Sequence, residues 1–116
     1  FVVADANRIT QVLVNLVSNS ISYGIVGGET TVSIKNYDKK KILIEVSDNG
    51  VGMAKEHIPR LFERFYRVDK SRERNIGGSG LGLAIVKHVI EAHKQTLTVR
   101  STEGIGSTFS FTLETA

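Results

Sequence analysis

The sequence predicts a two-layer α/β sandwich of the α+β type, a mixed sheet with helices packed on one face. Three observations predict it. Apolar residues recur at helical spacing over residues 6–23 and again, nearly all round, over 80–93. Two pairs of alternating segments, each pair joined by a short turn, read as hairpins. The order helix, two strands, short helix, helix, two strands is not the βαβ alternation of a doubly wound fold.

The chain opens on a strand-like Phe1-Val2-Val3-Ala4 with no leader, so we expect one domain over residues 1–116 that is a piece of a longer polypeptide. Asp5 is a good N-cap for the first helix, where Ile9, Val12, Leu13, Leu16, Val17, Ser20 and Ile21 form the face that must lie on the sheet. Tyr23-Gly24 and Gly27-Gly28 end that helix. Residues 31–35 and 42–46 alternate as two strands around a turn at Asn36-Tyr37-Asp38-Lys39, and Lys39-Lys40-Lys41 is most simply a solvated turn. Residues 58–67 predict a short helix with Pro59 in its first turn and Phe62 and Phe65 anchored in the core. Val68 to Gly77 is charged, poor in apolar residues, and expected to be mobile. After the helix over 80–93, residues 96–100 and 107–113 predict the second hairpin, with its turn at Glu103-Gly104-Ile105-Gly106.

Composition narrows the function classes. With 41% apolar and 23% charged residues the chain is an ordinary globular domain, and no apolar run approaches the roughly 20 residues of a membrane span. Zero cysteines exclude disulfides and thiolate metal sites. The net charge of +3 is small and mixed with acids, and no segment interleaves aromatics with Lys and Arg, so nucleic acid is not an expected partner. His57, His88 and His93 read as surface or packing histidines.

Three stretches carry candidate chemistry. Gly77-Gly78-Ser79-Gly80-Leu81-Gly82 runs into the long helix, and a glycine-rich turn at a helix N-terminus offers unpaired N–H donors to an anion. By itself it is equally a flexible linker, since it lacks the Lys-Ser/Thr ending of a P-loop and no strand precedes it. Asn15, Asn19 and Tyr23 follow at i, i+4 and i+8, a polar stripe along the edge of the buried helix face that faces either water or a ligand. Asp48-Asn49-Gly50-Val51-Gly52-Met53 puts an acceptor at a strand end with backbone free to curve beside a flat ligand, or else makes a turn closed by an Asx hydrogen bond.

Taken together, these stretches resemble the ATP-binding catalytic domain of sensor histidine kinases, in the superfamily shared with type II topoisomerases, heat-shock chaperone ATPases and mismatch-repair ATPases. Residues 15–19 are similar to its N box, 48–53 to its first glycine box, Leu61-Phe62-Glu63-Arg64-Phe65 to its F box, and 78–83 to its second glycine box. Four boxes in this order cover nearly the whole chain. The resemblance implies ATP and Mg²⁺ as ligands and a mobile ATP lid hinged at the second glycine box. It implies that Asp48 accepts the adenine amino group, that Gly50 and Gly52 shape the loop beside the ring, and that Tyr23 lies against it. Asn19 would hold Mg²⁺ through its amide oxygen, Asn15 would assist at the phosphates or metal-bound water, and Arg67 would contact the γ-phosphate. Gly78, Gly80, Leu81 and Gly82 would present the phosphate-facing backbone.

ATP-hydrolysing relatives resemble one another in carrying Glu four residues before the Mg²⁺ Asn, whereas this chain has Asn15. An amide takes no proton at neutral pH, so the resemblance implies ATP kept for transfer rather than hydrolysed. The acceptor would be a histidine on a separate dimerisation domain of the same parent, with a response regulator downstream. The implied parent is a homodimer, the isolated domain a monomer; the location is cytoplasmic, with membrane anchoring of the parent left open. An ATPase of the same fold and a degenerate nucleotide- or protein-binding module are the alternatives. Three departures stand out: Ser22 where many members have Lys, Ser20 for Ala, and His93-Lys94-Gln95 for His-Gly-Gly, which removes a glycine C-cap.

Overall fold

Asp5 caps the first helix as its side chain allows: its Oδ1 accepts the N–H groups of Asn7 and Arg8 at 3.0 and 3.2 Å. The computed structural model describes residues 2–22, 27–63 and 82–115. Within them the order is β1 (Val2–Val3), α1 (Ala6–Ser22), β2 (Thr30–Asp38), β3 (Lys41–Asp48), a 3-10 helix (Lys55–Arg60), α2 (Gly82–Ala92), β4 (Leu97–Thr102) and β5 (Gly106–Thr115). No helix among the described residues is long and apolar enough to cross a membrane.

β5 is the central strand. It pairs with β3 along one side, while β4 and then β1 share its other side, and β2 closes the far edge beyond β3. The sheet expected to be mixed is instead antiparallel in every described pairing. The reason is connectivity: tight turns join β2 to β3 and β4 to β5, and a tight turn returns the chain antiparallel, whereas a parallel neighbour needs a crossover.

Register decides which side chains meet. Ile34, Ile44, Phe111 and Leu97 fall in one row across four strands, and Val32, Val46, Phe109 and Val99 in the next. These rows face the helices. Val12 and Leu16 of α1 and Val86, Val89 and Ile90 of α2 are buried against them, closing a core around Phe109 and Phe111. Fully burying each such side chain contributes roughly 1.5–3 kcal/mol. α1 meets β2 at Thr30, through Ser20, whereas Val32 and Ile34 farther along the strand remain 49% and 68% exposed.

The short helix differs from expectation. It starts earlier, at Lys55, is of 3-10 type, and gives way to a turn at Leu61 and Phe62. Pro59 lies inside it and has no N–H to donate, which suits a short run of i to i+3 bonds such as His57 N–H to the Ala54 carbonyl. Phe62 packs edge-on against Phe109 with ring centroids 6.3 Å apart, as its anchoring role requires. Phe65 lies outside the described residues.

The two helices are tied at one end by His93. Its Nε2 accepts the Asp5 N–H at 3.0 Å and its Nδ1 lies 2.9 Å from the Val89 carbonyl, a pairing that only the neutral Nδ1–H tautomer makes at both nitrogens.

Candidate functional site

Asp48 is the last residue of β3 and belongs to the helix-facing set of that strand, half-buried. Thr30 of β2 and Ser107 of β5 flank it in register. Its Oδ1 accepts the Gly50 N–H at 2.9 Å, which closes the Asx turn expected of Asp-Asn-Gly. A carboxylate has two oxygens, so the turn leaves Oδ2 as an acceptor. The structural and the ligand-binding readings of this residue are therefore compatible.

Asn49 fixes the same corner from the other side. Its Oδ1 accepts the Glu29 N–H at 2.7 Å, and its own N–H donates to the Glu29 carbonyl at 3.3 Å, joining the segment after α1 to the end of β3. One turn earlier, the hydroxyls of Ser20 and Thr30 lie 2.8 Å apart, with Ser20 buried. The Ser20 departure thus ties the C-terminal end of α1, next to Asn19, to the residue that pairs with Asp48.

The loop after Asp48 is held against the β4–β5 turn. Gly104 N–H donates to the Val51 carbonyl at 2.7 Å, and Met53 N–H to Ser101 Oγ at 2.8 Å. Gly52 sits at φ +65°, where a Cβ would run into the Thr102 carbonyl oxygen. Gly106, at φ +146°, would put a Cβ into the Asp48 carbonyl oxygen in the same way. Both positions need glycine for close approach of backbone.

Across the helix layer, Asn15 Nδ2 donates to the Gly82 carbonyl at 3.3 Å. That bond sets the amide, leaving Oδ1 as an acceptor beside the start of α2, where first-turn N–H groups lack intrahelical partners. A Cβ at Gly82 would meet the Asn15 amide no closer than 3.8 Å, so packing does not demand glycine there. Asn19 is half-buried on the same stripe and has no hydrogen-bond partner among the described residues.

The structure thus brings Asn15 to Gly82 and the end of α1 to Asp48, and places Gly50 and Gly52 in the adjoining loop. Tyr23, Arg67, Gly78, Gly80, Leu81 and the charged segment over 68–77 lie outside the described residues. Sequence reasoning missed Asn49, Ser101 and Ser107. The two serines had a signal: alternation puts them in line with Val99 and Phe109 on the core face, where apolar side chains are the rule. A cavity of about 300 Å³ lined by Tyr37, Leu43, Glu45 and Arg100 lies on the opposite face of the sheet, away from these groups.

Residues 4–116 match the family described as histidine kinase-, DNA gyrase B- and HSP90-like ATPase. The sensor histidine kinase WalK of Bacillus subtilis is 46% identical over 114 residues, covering 97% of this chain but only 19% of WalK. Among solved structures, the mycobacterial sensor histidine kinase MprB superposes with a TM-score of 0.86 at 28% identity, over 97% of this chain and 76% of that one. Full-length ShkA in complex with AMPPNP gives 0.82 at 30% identity, over 99% of this chain and 23% of its own. The chain belongs to the histidine kinase-, DNA gyrase B- and HSP90-like ATPase family.

Proposed function

We propose that this chain is the catalytic domain, over residues 1–116, of a longer sensor histidine kinase: it binds Mg²⁺-ATP and donates the γ-phosphate to a histidine on a separate dimerisation domain of the same parent. The observation that carries the proposal is Asp48 Oδ2, which takes no hydrogen bond from the described residues, held at the sheet end by the Gly50 bond to Oδ1 and joined through Thr30 to the asparagine-bearing helix. The ATP analogue bound by the structural neighbour ShkA supports it.

In this reading Asp48 accepts the adenine amino group. Guanine, which carries a carbonyl there, has no proton to give. Asn19, a half-buried amide with no described partner, fits the single protein oxygen that Mg²⁺ takes when phosphates and water complete its shell. Bound Mg²⁺ would neutralise charge on the phosphates. Asn15, set by its bond to the Gly82 carbonyl, carries an amide that cannot take a proton from water, so ATP is retained for transfer. Tyr23, Gly50 and Gly52 border the ring, Arg67 meets the γ-phosphate, and Gly78, Gly80, Leu81 and Gly82 face the phosphate chain. The parent is a homodimer that passes the phosphate to a response regulator, in the cytoplasm.

Two measurements test this. Incubating the chain with the dimerisation domain of its parent and γ-labelled ATP should place label on histidine; phosphate release without transfer would mean an ATPase, and neither outcome a binding module. Calorimetry of Asp48→Asn should show ATP affinity lower by at least about tenfold, since a charged acceptor is lost. Asn keeps the Asx turn, so the fold should survive. Unchanged affinity would place the adenine elsewhere.

A further inference from the structure

The loop over residues 48–53 is anchored at its far end by a hydroxyl whose bonding capacity is fully used. Ser101 Oγ accepts the Met53 N–H at 2.8 Å, donates to the Gly106 carbonyl at 3.2 Å, and lies 2.8 Å from Ser107 Oγ. With its one proton on Gly106, Ser101 receives a proton from Ser107 as well as from Met53. Ser107 is buried and is the strand partner of Asp48. The serine pair therefore joins both ends of the loop, one through the β-ladder and one through a side chain. Two hydroxyls here forgo the burial that apolar residues in line with Val99 and Phe109 would gain. In return they hold a definite backbone path, as fully satisfied buried polar networks do.

We propose that Ser101 is a positioning residue of the nucleotide site. By holding the Met53 N–H, it sets the path of the loop and hence the direction in which Asp48 presents its free oxygen. The proposal rests on Asp48 being the adenine acceptor. A Cβ is excluded at Gly52 two residues from Asp48's turn, and Val51 is fixed by Gly104, so a shift at Met53 has no slack in which to dissipate before it reaches Gly50 and the Asp48 carboxylate.

The test is ATP binding by the full 116-residue chain, measured by calorimetry in the presence of Mg²⁺, together with hydrogen exchange at the Met53 amide. Ser101→Ala should weaken ATP binding about tenfold and strip the Met53 amide of protection, because a buried donor loses its acceptor. Ser101→Thr, which keeps the hydroxyl, should restore affinity to within about twofold of the parent chain. If Ser101→Ala fails to fold, Ser101→Cys preserves volume with a poorer acceptor and is read the same way. A merely structural hydroxyl would lower the melting temperature and leave the affinity of the folded chain unchanged; that result, or failure of Thr to rescue, overturns the proposal. Asp48→Asn separates the two levels. If it abolishes binding while Ser101→Ala does not, only the positioning role falls; if it leaves affinity intact, the adenine site is wrong and the positioning role falls with it.

Discussion

At Gly52 and Gly106 a methyl group has nowhere to go. Each position combines a positive φ with a main-chain oxygen, of Thr102 or of Asp48, lying where Cβ would stand, and a carbonyl held in a strand or turn cannot move aside as a side chain can. Gly52→Ala and Gly106→Ala should each destabilise the chain by at least about 3 kcal/mol, combining overpacking with left-handed or extended positive-φ strain. Urea titration checks this. Gly104→Ala, also at positive φ (+81°) but with nothing within 4 Å of its Cβ, should lose only about 1 kcal/mol and serves as the control. The sequence made Gly52 conspicuous for another reason, the passage of a loop beside a flat ligand. Its partner Thr102 lies 50 positions away, at the end of β4, whose docking against this loop is a tertiary event no local pattern records. The Asp48 turn was legible because strand end, carboxylate and paired glycines are adjacent in the chain. Asn49 was not, because its partner Glu29 is 20 residues distant.

The C-terminal end of α2 shows an element keeping its geometry against its sequence. Loss of glycine after His93 predicts a missing C-cap, yet Lys94 adopts φ +57° itself, its N–H bonding the Glu91 carbonyl at 2.9 Å while Gln95 N–H reaches the Ile90 carbonyl at 3.1 Å. That is the paired bonding of a Schellman cap with lysine in the left-handed place. Tertiary context holds it: His93 is fixed to Asp5, and Gln95 Oε1 accepts the Thr112 hydroxyl at 2.9 Å. Lys94→Gly should therefore stabilise the chain by about 0.5–1 kcal/mol, since relief of left-handed strain exceeds the added freedom of the unfolded chain. A rise in urea midpoint at unchanged slope would show it. Elements with a single strong period were legible: α1 covers Ala6–Ser22 of its expected span over 6–23, and both hairpins form. The start of the short helix was misplaced: it begins at Lys55 and turns at Leu61 and Phe62, because Phe62 and its neighbours repeat at a helical spacing while Pro59 withdraws a donor.

Across the whole molecule, the two faces of the sheet are used differently. The helix face is apolar and carries the candidate nucleotide site at its Asp48 end, whereas the other face is held together by charge. Glu45 of β3 sits at its centre, only 8% exposed, with Oε1 2.9 Å from Lys35 of β2 and Oε2 3.4 Å from Arg100 of β4 and 3.3 Å from the Ser110 hydroxyl of β5. One carboxylate thus bridges four strands. The alternation over residues 42–46 puts Glu45 on the face away from the helices, but its partners are set by register, which pairs it with Ser33 and Ser110, leaves Lys35 a diagonal step away on β2 and puts Arg100 beyond β5, on β4. The Lys35 bond first, then the fields of Lys35 and Arg100 and the Ser110 hydroxyl, outweigh burial and hold the Glu45 carboxyl below its ordinary 4.5. A carboxyl depressed in the folded state stabilises the fold at pH values above its ordinary range and loses that contribution as pH falls through the lower, folded value. Stability should therefore decline below about pH 4.5 more steeply in the parent chain than in Glu45→Gln, whose amide cannot titrate. Near pH 7 Glu45→Gln should be the less stable of the two, because Lys35 and Arg100 then face each other without the intervening negative charge. Denaturation measured from pH 3 to pH 7 tests both statements, and parallel pH profiles for the two chains would show that the bridge contributes nothing to folding.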